Sequence, residues 1–189
     1  MSVSVKQLPI PEILVLDIKK HGDARGFFSE TFNRQMFADA GIDPVFVQDN
    51  HVLSAAKGTI RGMHFQAPPF DQAKLVRVCR GAIFDVALDL RAGSPTYGKH
   101  ATAIISADKW NQIYIPSGFA HGLATLEPNT EVIYKVSNVY APKHDFGCLW
   151  NDPELGIDWP FPESEAQLSA KDKIQPKFAD LPTYFRYGG

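Results

Sequence analysis

Cysteine is scarce in this chain of 189 residues: Cys79 and Cys148 are the only two, and they stand far apart. That excludes a disulfide framework as the source of stability. A chain of this size buries an adequate core without one, so free thiols and a cytoplasmic location are expected. Charge of one sign is lacking as well. The 19 Lys and Arg against 21 Asp and Glu leave a net charge of -2. No stretch supplies the basic stripe that nucleic acid or an anionic membrane requires, so neither is expected as a partner and an anionic ligand must be met by local cations. Apolar runs end after a few residues, far short of the ~20 that span a bilayer. Lys6, Pro9, Pro11, Glu12 and Asp17 interrupt the first twenty residues, which excludes the unbroken apolar core of a secretory leader. Also missing are internal repeats, low-complexity tracts, a Gly-x-Gly-x-x-Gly fingerprint and a P-loop.

What is there reads as strands. Gly and Pro, 14 of each, fall between short segments rich in Val, Ile, Phe and Tyr, and no stretch resembles a linker, so a single domain over residues 1–189 is expected. From Phe84 to Arg91, Phe84, Val86, Leu88 and Leu90 alternate with Asp85, Ala87, Asp89 and Arg91, the period of a strand with one wet or functional face. Further strands are predicted at Ile13–Ile18, Phe27–Thr31, Lys74–Cys79, Ala101–Ser106, Gln112–Ile115 and Val132–Val139, spaced as in an antiparallel sandwich or barrel. One short helix is predicted around Phe32, Met36, Phe37 and Ala40, with Asn33 as its cap and Gly41 as its stop, packed outside the barrel. From Asn151 onward the chain is irregular, with Trp150, Trp159 and Phe161 as anchors against the barrel wall.

Polar residues cluster where a core should be. Arg61-Gly62-Met63-His64-Phe65-Gln66 is followed by Gln72 and Lys74, which sets two cations and an imidazole near one pocket, a costly arrangement without a charged ligand. Strand alternation puts His64 and Gln66 on one face and Arg61 on the other, so Arg61 joins them only if Gly62 marks a bend or bulge. His121 follows a Pro and Gly turn at the start of another strand. Two strand histidines suggest a metal, but the first motif reads His64-Phe65-Gln66, without a second His or a nearby Glu, so no metal site is expected. By residue type alone, Tyr134 reads as a core tyrosine, Asp172 as a solvated loop charge, and Arg25 with Glu30 as a surface pair.

Taken together, these segments resemble the dTDP-4-dehydrorhamnose 3,5-epimerase family. The blocks that carry the resemblance are Asp23-Ala24-Arg25-Gly26-Phe27, Gln48-Asp49-Asn50, Gly58 to Gln66, Asp85-Val86 through Asp89-Leu90-Arg91, Ser94 to Gly98, Pro116 to Gly122, Tyr134-Lys135-Val136, Asn151-Asp152-Pro153 and Leu168 to Asp172. The resemblance implies an all-β jelly-roll barrel (a cupin-like double-stranded β-helix) with a few short peripheral helices. It further implies an isomerase that inverts C3 and C5 of a dTDP-linked 4-keto-6-deoxy sugar without a cofactor, the ketone serving as the electron sink. By the same resemblance His64 is the base, Asp172 its partner, Tyr134 the acid on the opposite face, and Lys74 the oxyanion partner assisted by Arg61. Arg25 and Lys171 are then diphosphate contacts, Glu30, Gln48 and Asn50 line the nucleotide end, and Gln66 and His121 lie among the substrate contacts. The family forms homodimers through N-terminal strands, and Glu12 to Lys19 fits such an edge strand. The alternatives are an epimerase of one carbon or of a related keto sugar, a non-catalytic carbohydrate-binding cupin, and a metal-dependent cupin oxygenase.

Overall fold

The alternation around Asp85 and Asp89 does mark two faces, but neither is wet. In the computed structural model, which describes residues 3–188, the segment forms β8 (Ala82–Asp89), and both aspartates are fully buried. Val86 and Leu88 face a cluster formed with the C-terminal tail, while Ile83 and Ala87 face the interior of the sandwich together with the two aspartates. Each carboxylate has a partner inside: Asp85 through one oxygen to His121, and Asp89 through both to Arg91, with Ser94 and Thr96.

In chain order the other elements are β1 (Val3–Gln7), β2 (Leu14–Ile18), β3 (His21–Asp23), β4 (Gly26–Phe28), α1 (Arg34–Asp39), β5 (Gln48–Ser54), β6 (Ile60–Gln66), β7 (Lys74–Arg80), β9 (Arg91–Ala92), β10 (His100–Ser106), β11 (Asn111–Ile115), β12 (Phe119–Thr125), β13 (Thr130–Val136), β14 (Asp145–Gly147) and β15 (Phe185–Arg186). They build a jelly-roll sandwich of two antiparallel sheets, one ordered β1-β2-β11-β7-β13-β5 and the other β10-β8-β12-β6-β14. The interior core includes Val76, Val78, Ile83, Ile113, Phe119, Leu123 and Val132. On the outer face of the larger sheet Phe37 of α1 packs on Leu14, Leu16, Leu75 and Tyr114. Asn33 caps this helix by accepting the Met36 N–H at 3.2 Å, and Gly41, at φ +85°, ends it in the left-handed conformation, as its sequence signals indicate. The tail covers the outer face of the smaller sheet through Trp150, Trp159 and Phe161 at one end and Phe178 and Phe185 at the other.

Three expectations need correction. The strand predicted at Phe27–Thr31 stops at Phe28. Beyond it, side chains replace the ladder: Ser29 Oγ receives the Trp110 indole N–H at 2.8 Å, and Thr31 O receives the Gln112 amide at 2.8 Å. The strand predicted at Val132–Val139 ends at Val136 for a similar reason, developed below. Glu12 to Lys19 is not an edge. β2 is hydrogen-bonded on both sides, and the free edge belongs to β1, which folds back on it antiparallel from Val3↔Ile18 to Gln7↔Leu14.

The position of the polar cluster depends on one irregularity. His121 of β12 lies opposite His64, but Leu123 lies opposite Arg61, so β6 carries an extra residue and the parity of its side chains reverses between them. Arg61 therefore joins the face of His64, the outcome the sequence makes conditional on Gly62. Gly62 sits at φ +126°, and a Cβ there would fall 2.5 Å from Gly122 Cα and 2.6 Å from His121 O. Gly62→Ala is expected to cost about 3 kcal/mol, seen as a fall in melting temperature of roughly 6–12 °C, since the strain and the backbone clash have no flexible side chain to absorb them.

Candidate active site

At one end of the sandwich the interior side chains change from apolar to polar and line a cleft of about 310 Å³. From the smaller sheet come His64 and Gln66 on β6 and Asp145 on β14. From the larger come Lys74 on β7, Tyr134 on β13, and Gln48 and Asn50 on β5. The positions follow from parity: Lys74 precedes the interior residues Val76 and Val78, and Tyr134 shares its face with the buried Val132 and Val136.

His64 Nε2 lies 2.5 Å from Asp172 Oδ1, which the tail brings from 108 residues away. Asp172, 3% exposed, opens a single 3-10 turn, Asp172–Ile174. Its second oxygen accepts the Ser169 hydroxyl at 2.8 Å, and its own N–H donates to Ser169 Oγ at 3.1 Å. Burial pushes its pKa up, but the hydrogen bond and charge of His64, the Ser169 hydroxyl and the Lys171 charge outweigh burial and leave it below the usual carboxylate range. An ionised carboxylate only accepts, so Nε2 carries the imidazole proton and Nδ1 keeps the lone pair of a base.

Tyr134 faces the cleft from the opposite sheet. Burial, with the Asp145 charge, raises its phenol pKa against the lowering effect of Arg61, so it stays protonated and can donate. Lys74 donates to His64 O at 3.4 Å, and burial pulls its pKa down to about 8 while the charges of Asp85 and Asp145 hold it up. It is a cation at neutral pH, placed beside the base. Arg61 is anchored to β5 through Ser54 Oγ at 3.1 Å and Leu53 O at 3.3 Å.

The remaining candidates divide. Gln48 and Asn50 line the cleft and are joined at 2.9 Å. Lys171 reaches its rim, 2.6 Å from Asp145 Oδ2, which also receives the Tyr140 hydroxyl at 3.2 Å. His121 lies behind the cleft, buried, with Nε2 2.8 Å from Asp85 Oδ2. Gln66 turns its amide to backbone. Arg25 and Glu30 do not line the cleft. Arg25 is highly exposed and pairs with Asp23 at 2.5 Å, so its surface partner is not Glu30, which instead borders an open groove of about 690 Å³ between α1 and β1. His64 and His121 are ladder neighbours, yet each ring is bound by its own carboxylate, and among the described residues no three His, Cys, Asp or Glu side chains converge as metal ligands.

Sequence reading missed Tyr140, Asp145 and Ser169. Nothing local separates the first two from surface residues. Ser169 carried a signal, a hydroxyl three residues before an acid, the spacing at which it can bond both the carboxylate and the backbone N–H.

Comparison with known proteins bears on this geometry. Residues 7–180 match the family model described as dTDP-4-dehydrorhamnose 3,5-epimerase. A relative of that name from Sinorhizobium fredii is 48% identical over 96% of this chain and 93% of its own length. Among solved structures, the dTDP-6-deoxy-D-glucose-3,5-epimerase of Legionella pneumophila in complex with dTDP-4-keto-L-rhamnose superposes with a TM-score of 0.94, at 38% identity, covering 99% of this chain and 100% of that one. The dTDP-4-dehydrorhamnose 3,5-epimerase of Bacillus anthracis with TDP and PPi bound gives 0.90 at 45% identity, covering 93% and 99%.

Proposed function

The chain belongs to the dTDP-4-dehydrorhamnose 3,5-epimerase family, and from that premise we propose that His64 and Tyr134 are the proton-transfer groups of its reaction. It is an isomerase acting on dTDP-4-dehydro-6-deoxy-D-glucose, inverting C3 and C5 to give dTDP-4-dehydro-L-rhamnose. The C4 ketone acidifies the hydrogens on both neighbouring carbons, and removal of either as a proton gives an enolate with its charge on the C4 oxygen. His64 takes the proton, and Asp172 stabilises the imidazolium that forms. Lys74, with Arg61, holds the oxyanion, and Tyr134 returns a proton from the other face of the ring. The observation that carries this reading is a base and a protonated phenol facing one cleft from opposite sheets, with a half-buried lysine beside the base.

Lys171 at the rim suits the diphosphate, while Gln48 and Asn50 suit the nucleotide end. Arg25 and Glu30, outside the cleft of their own chain, can serve the nucleotide only in the cleft of a second copy. A homodimer supplies one, docked through the free edge of β1 and the exposed Phe27 and Phe28 beside Arg25. Residence in the cytoplasm accords with the two free cysteines.

In deuterium oxide the enzyme should place deuterium at both C3 and C5 of the substrate, followed by NMR. Label at C3 alone would make it a mono-epimerase, and label at neither would overturn the reading. Tyr134→Phe should reduce inversion by about a hundredfold and hydrogen loss far less, because the phenol acts after the enolate exists. Equal loss of both would remove Tyr134 from the acid role.

A further inference from the structure

The strand β13 ends where its backbone partners change from a neighbouring strand to three glutamine side chains. Four consecutive residues, Asn138 to Ala141, each have a backbone group bound in this way. Gln72 Nε2 donates to Asn138 O at 2.8 Å, and Gln66 Nε2 donates to Val139 O at 3.0 Å. Gln48 Oε1 accepts the Tyr140 N–H at 3.1 Å, and Gln66 Oε1 accepts the Ala141 N–H at 2.8 Å. The second N–H of Gln66 goes to Phe70 O at 2.6 Å. Both donors of this amide and one acceptor site are therefore committed to two loops, in a side chain only 4% exposed.

We propose that Gln66 is a positioning residue, which fastens the 138–141 segment as the outer wall of the cleft and does not itself bind the sugar. This deepens the epimerase reading above and rests on it for the identity of the ligand. The segment is otherwise open to solvent, with Val139 and Tyr140 both more than half exposed, so the amide bonds beneath it decide where the Tyr140 ring stands. On its far side the ring is tied through Asp145 to Lys171, the neighbour of Asp172. Gln66 also lies two residues from His64 on the same face of β6, so one strand sets both the base and the wall. Without the amide, Phe70 O, Val139 O and the Ala141 N–H lose their partner. The two groups on the exposed loop can be satisfied by water if it moves outward. The wall then loosens while His64, Asp172, Tyr134 and Lys74 keep their places.

The test uses Gln66→Leu in the full-length protein. In the ligand-free enzyme the Tyr140 and Ala141 amides should exchange at least tenfold faster with deuterium than in wild type. The dissociation constant for dTDP and the KM should each rise about tenfold, with kcat within twofold. Tyr140→Ala should weaken dTDP to a similar degree, and the double variant should be no weaker than the weaker single. Unchanged exchange at residues 140 and 141 would overturn the clamp even if the protein proved to bind no dTDP, so this arm is independent of the functional reading. A tenfold fall in kcat with dTDP affinity unchanged, or losses that multiply to about a hundredfold in the double variant, would give Gln66 a direct contact with the sugar instead. If Gln66→Leu does not fold, Gln66→Met, closer to glutamine in length and lacking the same amide, takes its place, with faster exchange at residues 140 and 141 expected and unchanged exchange overturning the proposal.

Discussion

His64→Asn should lower turnover by about a thousandfold or more and abolish deuterium incorporation at both carbons, because an amide nitrogen has no basic lone pair to receive a proton. The loss should fall on kcat, with the affinity for dTDP nearly unchanged, since the nucleotide end of the cleft is built by Gln48, Asn50 and the 138–141 segment. Folding should survive. His64 is only half-buried, and Asp172 retains Ser169 as a partner on its other oxygen. The variant should nevertheless be distinguishable in acid. A carboxylate whose pKa is lowered on folding contributes stability that is present above its unfolded value and lost as the pH falls through the folded one. Removing His64 takes away part of that lowering, so the two proteins should differ in stability near neutral pH and converge below the carboxylate range. Retention of exchange in His64→Asn would transfer the role of base to another group and leave the His64–Asp172 pair as structure.

The parts of this site that the sequence made legible are those that depend on strand parity. Once β6, β7 and β13 are recognised, the two-residue period puts His64, Lys74 and Tyr134 on interior faces, and Gly62 flags the one place where the period breaks. The helix was equally readable, because its cap and its stop are local chemistry. What parity cannot carry is contact between distant segments. By residue type Asp172 looks like a solvated charge, and only the tail's apolar anchors on the outer face of the smaller sheet, Leu168 before it and Phe178 after it among them, bring it beneath His64. The wetness expected of Asp85 and Asp89 failed for a related reason, since their side of β8 faces the interior, where the other sheet covers it, and the tail closes the opposite side over Val86 and Leu88. Arg25 and Glu30 show a further limit. A chain folded by itself keeps them out of the cleft, and their assignment then depends on a second copy.

Lys74→Met should cost about a hundredfold to a thousandfold in kcat, the size of effect seen when a donor to a developing oxyanion is removed. Its pH dependence separates this role from mere packing. Burial draws the Lys74 pKa down to about 8, with Asp85 and Asp145 holding it up, so the charged form needed by the oxyanion is present at neutral pH and lost above 8. Wild-type kcat/KM, which reports the free enzyme, should therefore fall about tenfold per pH unit beyond that point, and the fall should be missing in Lys74→Met. Asp145→Asn removes one of the charges that favour the ammonium form and should move the limb to lower pH. Stability runs in the opposite sense. A lysine whose pKa is lower folded than unfolded makes stability rise between about 8 and 10.5 and burdens the fold below 8, where its charge is partly desolvated. Lys74→Met should thus melt no lower than wild type at pH 7 while turning over far more slowly, and a variant that melted lower would make the residue part of the scaffold instead of the oxyanion site.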